Sequence, residues 1–87
     1  MEFRLSRHAE WEMGRRGIPL KLVRCVLDAP EQCLPEGAAG TCVYQPRLRF
    51  EDGKIFLLRV VPAEEHTPPL VVTAYRTSKI EKYWSAE

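Results

Sequence analysis

Apolar residues change their spacing once along this chain, at Pro30. Before it they recur three and four apart: Ala9 and Met13, then Leu20, Val23 and Leu27, with Leu22 and Val26 widening the stripe. That is the spacing of helices that bury one face. After Pro30 they alternate instead. Cys42, Tyr44, Leu48 and Phe50 occupy even positions, with Gln45, Arg47 and Arg49 between them, as in a half-buried strand. The order of helices first, strands next and a short helix last calls for an α+β architecture.

Local signals bound the elements. Ser6 is a good N-cap, no breaker follows it up to Arg16, and Gly17 supplies the left-handed residue that ends a helix. Pro19 suits the first position of a second helix, and Pro30 prevents that helix from continuing. The two helices, joined by a Gly-containing turn, are expected to form a hairpin. "EQCLPEGAAG" reads as a turn-rich connection. The strand over 41–50 contains Pro46, which removes one ladder donor and places the strand at an edge or gives it a bulge. Asp52-Gly53, inside 51–54, signals a tight hairpin turn. "IFLLRVV" follows as a nearly continuous apolar central strand, with Arg59 its one charge. "PAEEHTPP" is a polar loop, and "LVVTAYRT" a β-branched third strand. Ser78 and Glu81 have capping-box spacing before "KYW". The expected fold is α+β: an N-terminal helical hairpin packed on a small twisted antiparallel sheet of three or four strands, with a short C-terminal helix. With 87 residues the chain forms a single domain over 1–87. One face of that sheet is left with no element to cover it.

Composition narrows the function. At 45% hydrophobic and 29% charged residues the chain is too apolar for disorder. Thirteen basic residues against 12 acidic ones give a net charge of +1, which argues against a polycation that coats nucleic acid. "MEFRLSRHAE" has no apolar signal region and no run approaches the ~20 residues that span a bilayer. A soluble, cytoplasmic protein with no membrane partner is expected. Cys25, Cys33 and Cys42 form no CxxC pair, and none has zinc-site spacing with His8 or His66. No metal or cofactor is therefore expected, and the thiols read as small buried or half-buried side chains.

Strand alternation indicates what the open face carries. Val43, Gln45, Arg47 and Arg49 share one side of their strand; Val71, Thr73 and Tyr75 share one side of theirs, opposite Leu70, Val72, Ala74 and Arg76. Both sides of the central strand are apolar, but Arg59 belongs more comfortably on the open side. Three guanidiniums, a hydroxyl and a phenol would then converge, and arginine forks match phosphate oxygens while an aromatic beside them stacks a base. On the first helix His8, Glu12 and Arg15 fall on one stripe, with Glu12 favouring the imidazolium form of His8. A histidine is the usual acid or base near neutral pH, which suits transesterification of RNA. Trp11 and Met13 read as packing residues, and Trp84 as the anchor of the terminal helix.

"SRHAEWEMGRRGI" resembles SxHAxxRMxxRGI, which opens the family called domain of unknown function 4258, and "VVTAYRTSKIEKYW" resembles its closing VVTxYxT and KxxKYW. The proline-terminated "VLDAP" also fits. That family is similar to the RelE-like and BrnT-like toxin nucleases. The resemblance implies N-terminal helices on a small antiparallel sheet, metal-independent cleavage of RNA, ribosome-bound message included, and restraint by a cognate antitoxin. The motif positions are Ser6, His8, Ala9, Met13, Arg16 and Gly17 at one end, and Thr73, Tyr75, Thr77, Lys79, Lys82, Tyr83 and Trp84 at the other. Glu12 stands where the family pattern has arginine. The nuclease reading assigns His8, Tyr75 and Lys79 to catalysis, with His8 reaching across to the C-terminal part of the sheet. It assigns Arg47, Arg49, Arg59, Thr73, Arg16 and Lys82 to RNA binding. Two other readings use the same surface: a non-catalytic module binding RNA or protein, and a strand around Pro46 that pairs with another chain.

Overall fold

A computed structural model of the chain describes residues 2–35, 42–50 and 52–84. Thr41 and Glu51, part of the expected strand and hairpin, and 36–40 of the expected connection lie outside the described residues. The elements run β1 (Arg4–Leu5), α1 (Arg7–Arg16), α2 (Leu20–Asp28), β2 (Gln32–Pro35), β3 (Cys42–Gln45), β4 (Arg47–Arg49), β5 (Ile55–Ala63), β6 (Leu70–Thr77) and α3 (Ile80–Tyr83).

The class is α+β, but the sheet is not the expected one. It has six strands in the order β1-β6-β5-β3-β2, with β4 also on β5, and it is mixed because β1 runs parallel to β6. The two added strands explain the correction. β1 is too short to show a period, and β2 occupies "QCLP", whose proline and neighbours read as turn. Nor do the helices form a packed hairpin. α1 lies on β6 while α2 lies over β5 and β3, and they make few contacts with one another.

Pro46 divides the expected strand into β3 and β4 without making a bulge, and β4, which among the described strands pairs with β5 alone, lies at an edge as expected. Tyr44 pairs with Val60 and Arg47 with Leu57, so β3 and β4 keep one register across the proline. Leu58 N–H still donates to Pro46 O at 3.2 Å; only the return bond is missing. The bulge is in β6. Thr73 faces Val61 and Val71 faces Pro62, which leaves Val72 as the extra residue. The extra residue turns Val71 into the helix-side core with Ala74, so Val71, Thr73 and Tyr75 do not share the face that strict alternation assigns them.

That bulge also fastens the helix. Ser6 Oγ accepts from Ala9 N–H at 3.0 Å as the N-cap of α1 and donates to Val72 O at 3.0 Å. Gly17, at φ 64°, ψ 41°, closes the other end, and Ile18 N–H returns to Met13 O at 2.9 Å. Between these caps Ala9 and Met13 meet Leu58, Val60, Val71 and Ala74, joined by Ile18 of the connecting turn and by Val23, Val26 and Leu27 of α2.

Candidate functional site

The face opposite the helices is not open. Gln45 and Arg59 point to it as expected, and so does Tyr75, but the C-terminal segment folds over them. Gln45 Nε2 donates to Tyr83 O at 3.1 Å and to Gln32 Oε1 at 2.8 Å. Arg59 Nε donates to Gln45 Oε1 at 2.9 Å, and its Nη1 donates to the Tyr75 hydroxyl. The Tyr83 ring covers the guanidinium at 4.3 Å. Arg59 is consequently 2% exposed, and Gln45, Val43 and Leu57 are buried with it. Four residues of helix sufficed to close a face that composition alone assigns to solvent.

The other predicted residues are dispersed. Arg47 is exposed, pairs with Glu31 at 3.1 Å and stacks on Trp84 at 4.3 Å. Those bonds, from the Arg47 side chain first and its backbone N–H second, hold the Glu31 carboxyl below its ordinary range. Lys79 and Lys82 line a hollow with Ser78, Ile80 and Glu81. The capping box does not form: Lys79 begins the helix, and its N–H donates to Thr77 Oγ1 at 3.1 Å. Thr73 is half-buried. His8 is exposed on α1, which lies on the helix side of the sheet, so it and Tyr75 occupy opposite faces.

Glu12, the residue that replaces the expected arginine, organises the end of α1. Buried at 7% exposure, it accepts from Arg16 at 2.8 Å and from Arg15 at 3.2 Å. The Arg16 bond, ahead of the opposing desolvation and with Arg15 adding to it, lowers the carboxyl below its ordinary range. It does not pair with His8. Instead the His8 ring lies 6.3 Å from that of Trp11, and the Arg15 guanidinium lies 5.0 Å over the indole. Trp11 is not a packing residue: it is 60% exposed.

Three cations converge on a concave surface elsewhere, beside the hairpin between β4 and β5. A groove of about 460 Å³ is lined by Lys21 and Leu22 of α2, Arg49 and Phe50, and Arg76 of β6, together with Gly17, Pro19 and Asp52. Arg76 is held between two rings, 4.5 Å from Phe50 and 4.6 Å from Phe56, which meet edge to face at 5.4 Å. Arg49 Nη1 donates to Gly53 O at 2.9 Å. Pro19 is the N-cap of α2 rather than its first residue and supplies no side-chain cap, so the positive end of the helix dipole faces the same region.

Comparison with known proteins adds nothing to this geometry: no family model matches the chain, and neither a curated protein nor a solved structure does. Of the groove cations only Arg49 was marked by the sequence. Arg76 carried a usable signal, a charge on the core side of its strand, because such a residue has to emerge at the end of the sheet. Lys21 carried none, since a lysine in a first helical turn is ordinary surface.

Two of the three thiols differ from expectation as well. Cys25 and Cys33 are exposed and Cys42 is half-buried; all are free. Desolvation, then neighbouring Cys42, pushes the Cys33 thiol up, away from the thiolate that metal binding or nucleophilic attack requires. Among the described residues no helix is long and apolar enough to cross a membrane.

Proposed function

We propose that this protein is a non-catalytic RNA-binding module that grips the phosphate backbone in the groove between the start of α2 and the β4–β5 hairpin. The observation that carries this reading is the meeting of Lys21, Arg49 and Arg76 on one concave surface, where Asp52 is the single carboxylate among the described lining residues. Guanidinium forks suit phosphate oxygens, and the uncapped start of α2 adds positive potential. Binding without cleavage is favoured because the acid–base pair that transesterification needs is split: His8 and Tyr75 lie on opposite faces, and the Tyr75 hydroxyl already accepts from buried Arg59. With a net charge of +1 the affinity should be modest and strongly salt-dependent. The reading places the protein in the cytoplasm, in keeping with three free thiols.

The test is binding of labelled RNA in chelator, followed across a salt series, with product ends examined in parallel. Wild-type protein should bind and leave the RNA intact. Lys21→Glu and Arg49→Glu should each weaken binding and flatten the salt slope by about one. Binding unchanged in both variants would remove the groove from the account. Cleavage leaving cyclic phosphate ends and abolished by His8→Ala would replace a binding module with a nuclease.

A further inference from the structure

We infer that an unpaired base stacks on Trp11, which makes single-stranded RNA, rather than duplex, the ligand of this protein; the inference rests on the RNA-binding reading above. Trp11 is the most exposed of the large hydrophobic residues described, at 60%. A singly exposed aromatic is ordinary on a protein surface; what distinguishes this one is the company it keeps. Its surroundings are those of a nucleic-acid stacking platform. Arg7, Trp11 and Arg15 follow one another at i, i+4 and i+8 along the solvent side of α1, so a cation stands one turn before the ring and another one turn after it. Arg15 lies 5.0 Å over the indole and is held by Glu12 at 3.2 Å, which presets it as one wall of the platform. His8 stands beside the ring, 6.3 Å away between centroids. Glu10, the exposed acid of α1, projects from a neighbouring side of the helix, away from this line.

Gly14 is the second, independent sign. It sits inside the helix three positions after Trp11, where glycine costs helix stability relative to alanine. No steric demand calls for it: a Cβ there would meet nothing within 4 Å, and its φ is not positive. What its bare backbone does is keep the flank of Trp11 clear at the position from which an i+3 side chain would lie against the ring. Gly17, the C-cap of the same helix, lines the groove, so platform and groove share α1. Base–aromatic stacking tolerates every base, so sequence preference should be weak. Duplex RNA keeps its bases stacked inside and offers the ring nothing.

The experiment compares a fluorescein-labelled oligouridylate with a blunt RNA duplex of equal length, using the full chain and the variants Trp11→Ala and Gly14→Gln. Trp11→Ala should lower oligouridylate affinity roughly 5- to 100-fold, the range of one stacked base, with the salt slope and duplex binding unchanged. Gly14→Gln should raise thermal stability and still lower oligouridylate affinity, a combination that loss of folding cannot produce. Oligouridylate binding unchanged in both variants would overturn this inference and leave the groove reading standing. Equal losses for oligouridylate and duplex would overturn it too. No binding of either RNA by the wild-type chain would overturn the RNA-binding reading and the inference with it.

Discussion

On one face of the sheet Leu58, Val60, Val71 and Ala74 meet Ala9, Met13, Val23, Val26 and Leu27. On the other face of the same strands Gln45, Arg59 and Tyr75 meet Tyr83 and its neighbours. The difference follows from what covers each face. α1 and α2, ten and nine residues long, bring enough apolar side chains to close their side by burial. α3 has four residues. It brings one aromatic ring and a carbonyl, so closure there depends on hydrogen bonds and a cation–π contact, aided by the buried Val43 and Leu57 beneath. The first face tolerates hydrophobic exchange of similar volume. The second demands its particular partners, because a buried polar group that loses one is left with its desolvation cost.

Substitutions can sharpen or break this contrast. The largest effect is expected from Leu58→Ala on the apolar face, about 2–5 kcal/mol of lost stability in urea unfolding. Gln45→Leu on the polar face keeps volume and adds apolar surface, yet should cost about 1–3 kcal/mol, because the Arg59 Nε–H and the Tyr83 carbonyl each lose a bond. If Gln45→Leu instead stabilises the protein, the polar network is dispensable and the contrast fails. The double variant should show additive losses within about 0.5 kcal/mol if the two faces are independent.

Smaller effects test the joints. Ser6→Ala removes the α1 cap and the bond to the β6 bulge, for an expected loss of about 1 kcal/mol. Amide exchange should then rise at the start of α1 while α3 stays protected. The smallest effect concerns acid. Arginine bonds hold Glu12 and Glu31 below their ordinary value of 4.5, so what each adds to stability is complete above that value and is lost as the pH falls through the folded-state value. The urea midpoint should be flat through neutral pH and decline below about 4.5, with a shallower decline in Glu12→Gln.

The elements whose signals are local were legible in the chain. Ser6, Gly17 and Pro30 punctuate their helices by φ preference and hydrogen-bonding capacity, which need no distant partner, and Asp52-Gly53 marks its hairpin for the same reason. β2 was missed because four residues ending in proline show no period; pairing with β3 makes them a strand. Trp11 was misread because a tryptophan on a helix is apolar whichever way it faces, and one residue of rotation separates core from solvent. The candidate site divides similarly. Arg49 was marked by strand alternation, but its meeting with Lys21 and Arg76 joins three segments far apart in the chain.

The sequence by itself determined the succession of helices and main strands, the caps that bound α1, and the apolar stripes that meet on the helix side, since each arises from neighbours a few residues apart. The tertiary structure alone decided the rest. It set the parallel placing of β1, the turn of Val71 into the core at the β6 bulge, the burial of Arg59 beneath Tyr83, and the gathering of three cations beside the hairpin. Those outcomes depend on which strand edges and faces remain after the larger surfaces have been buried. That competition is among groups distant in sequence, and local spacing carries no record of it.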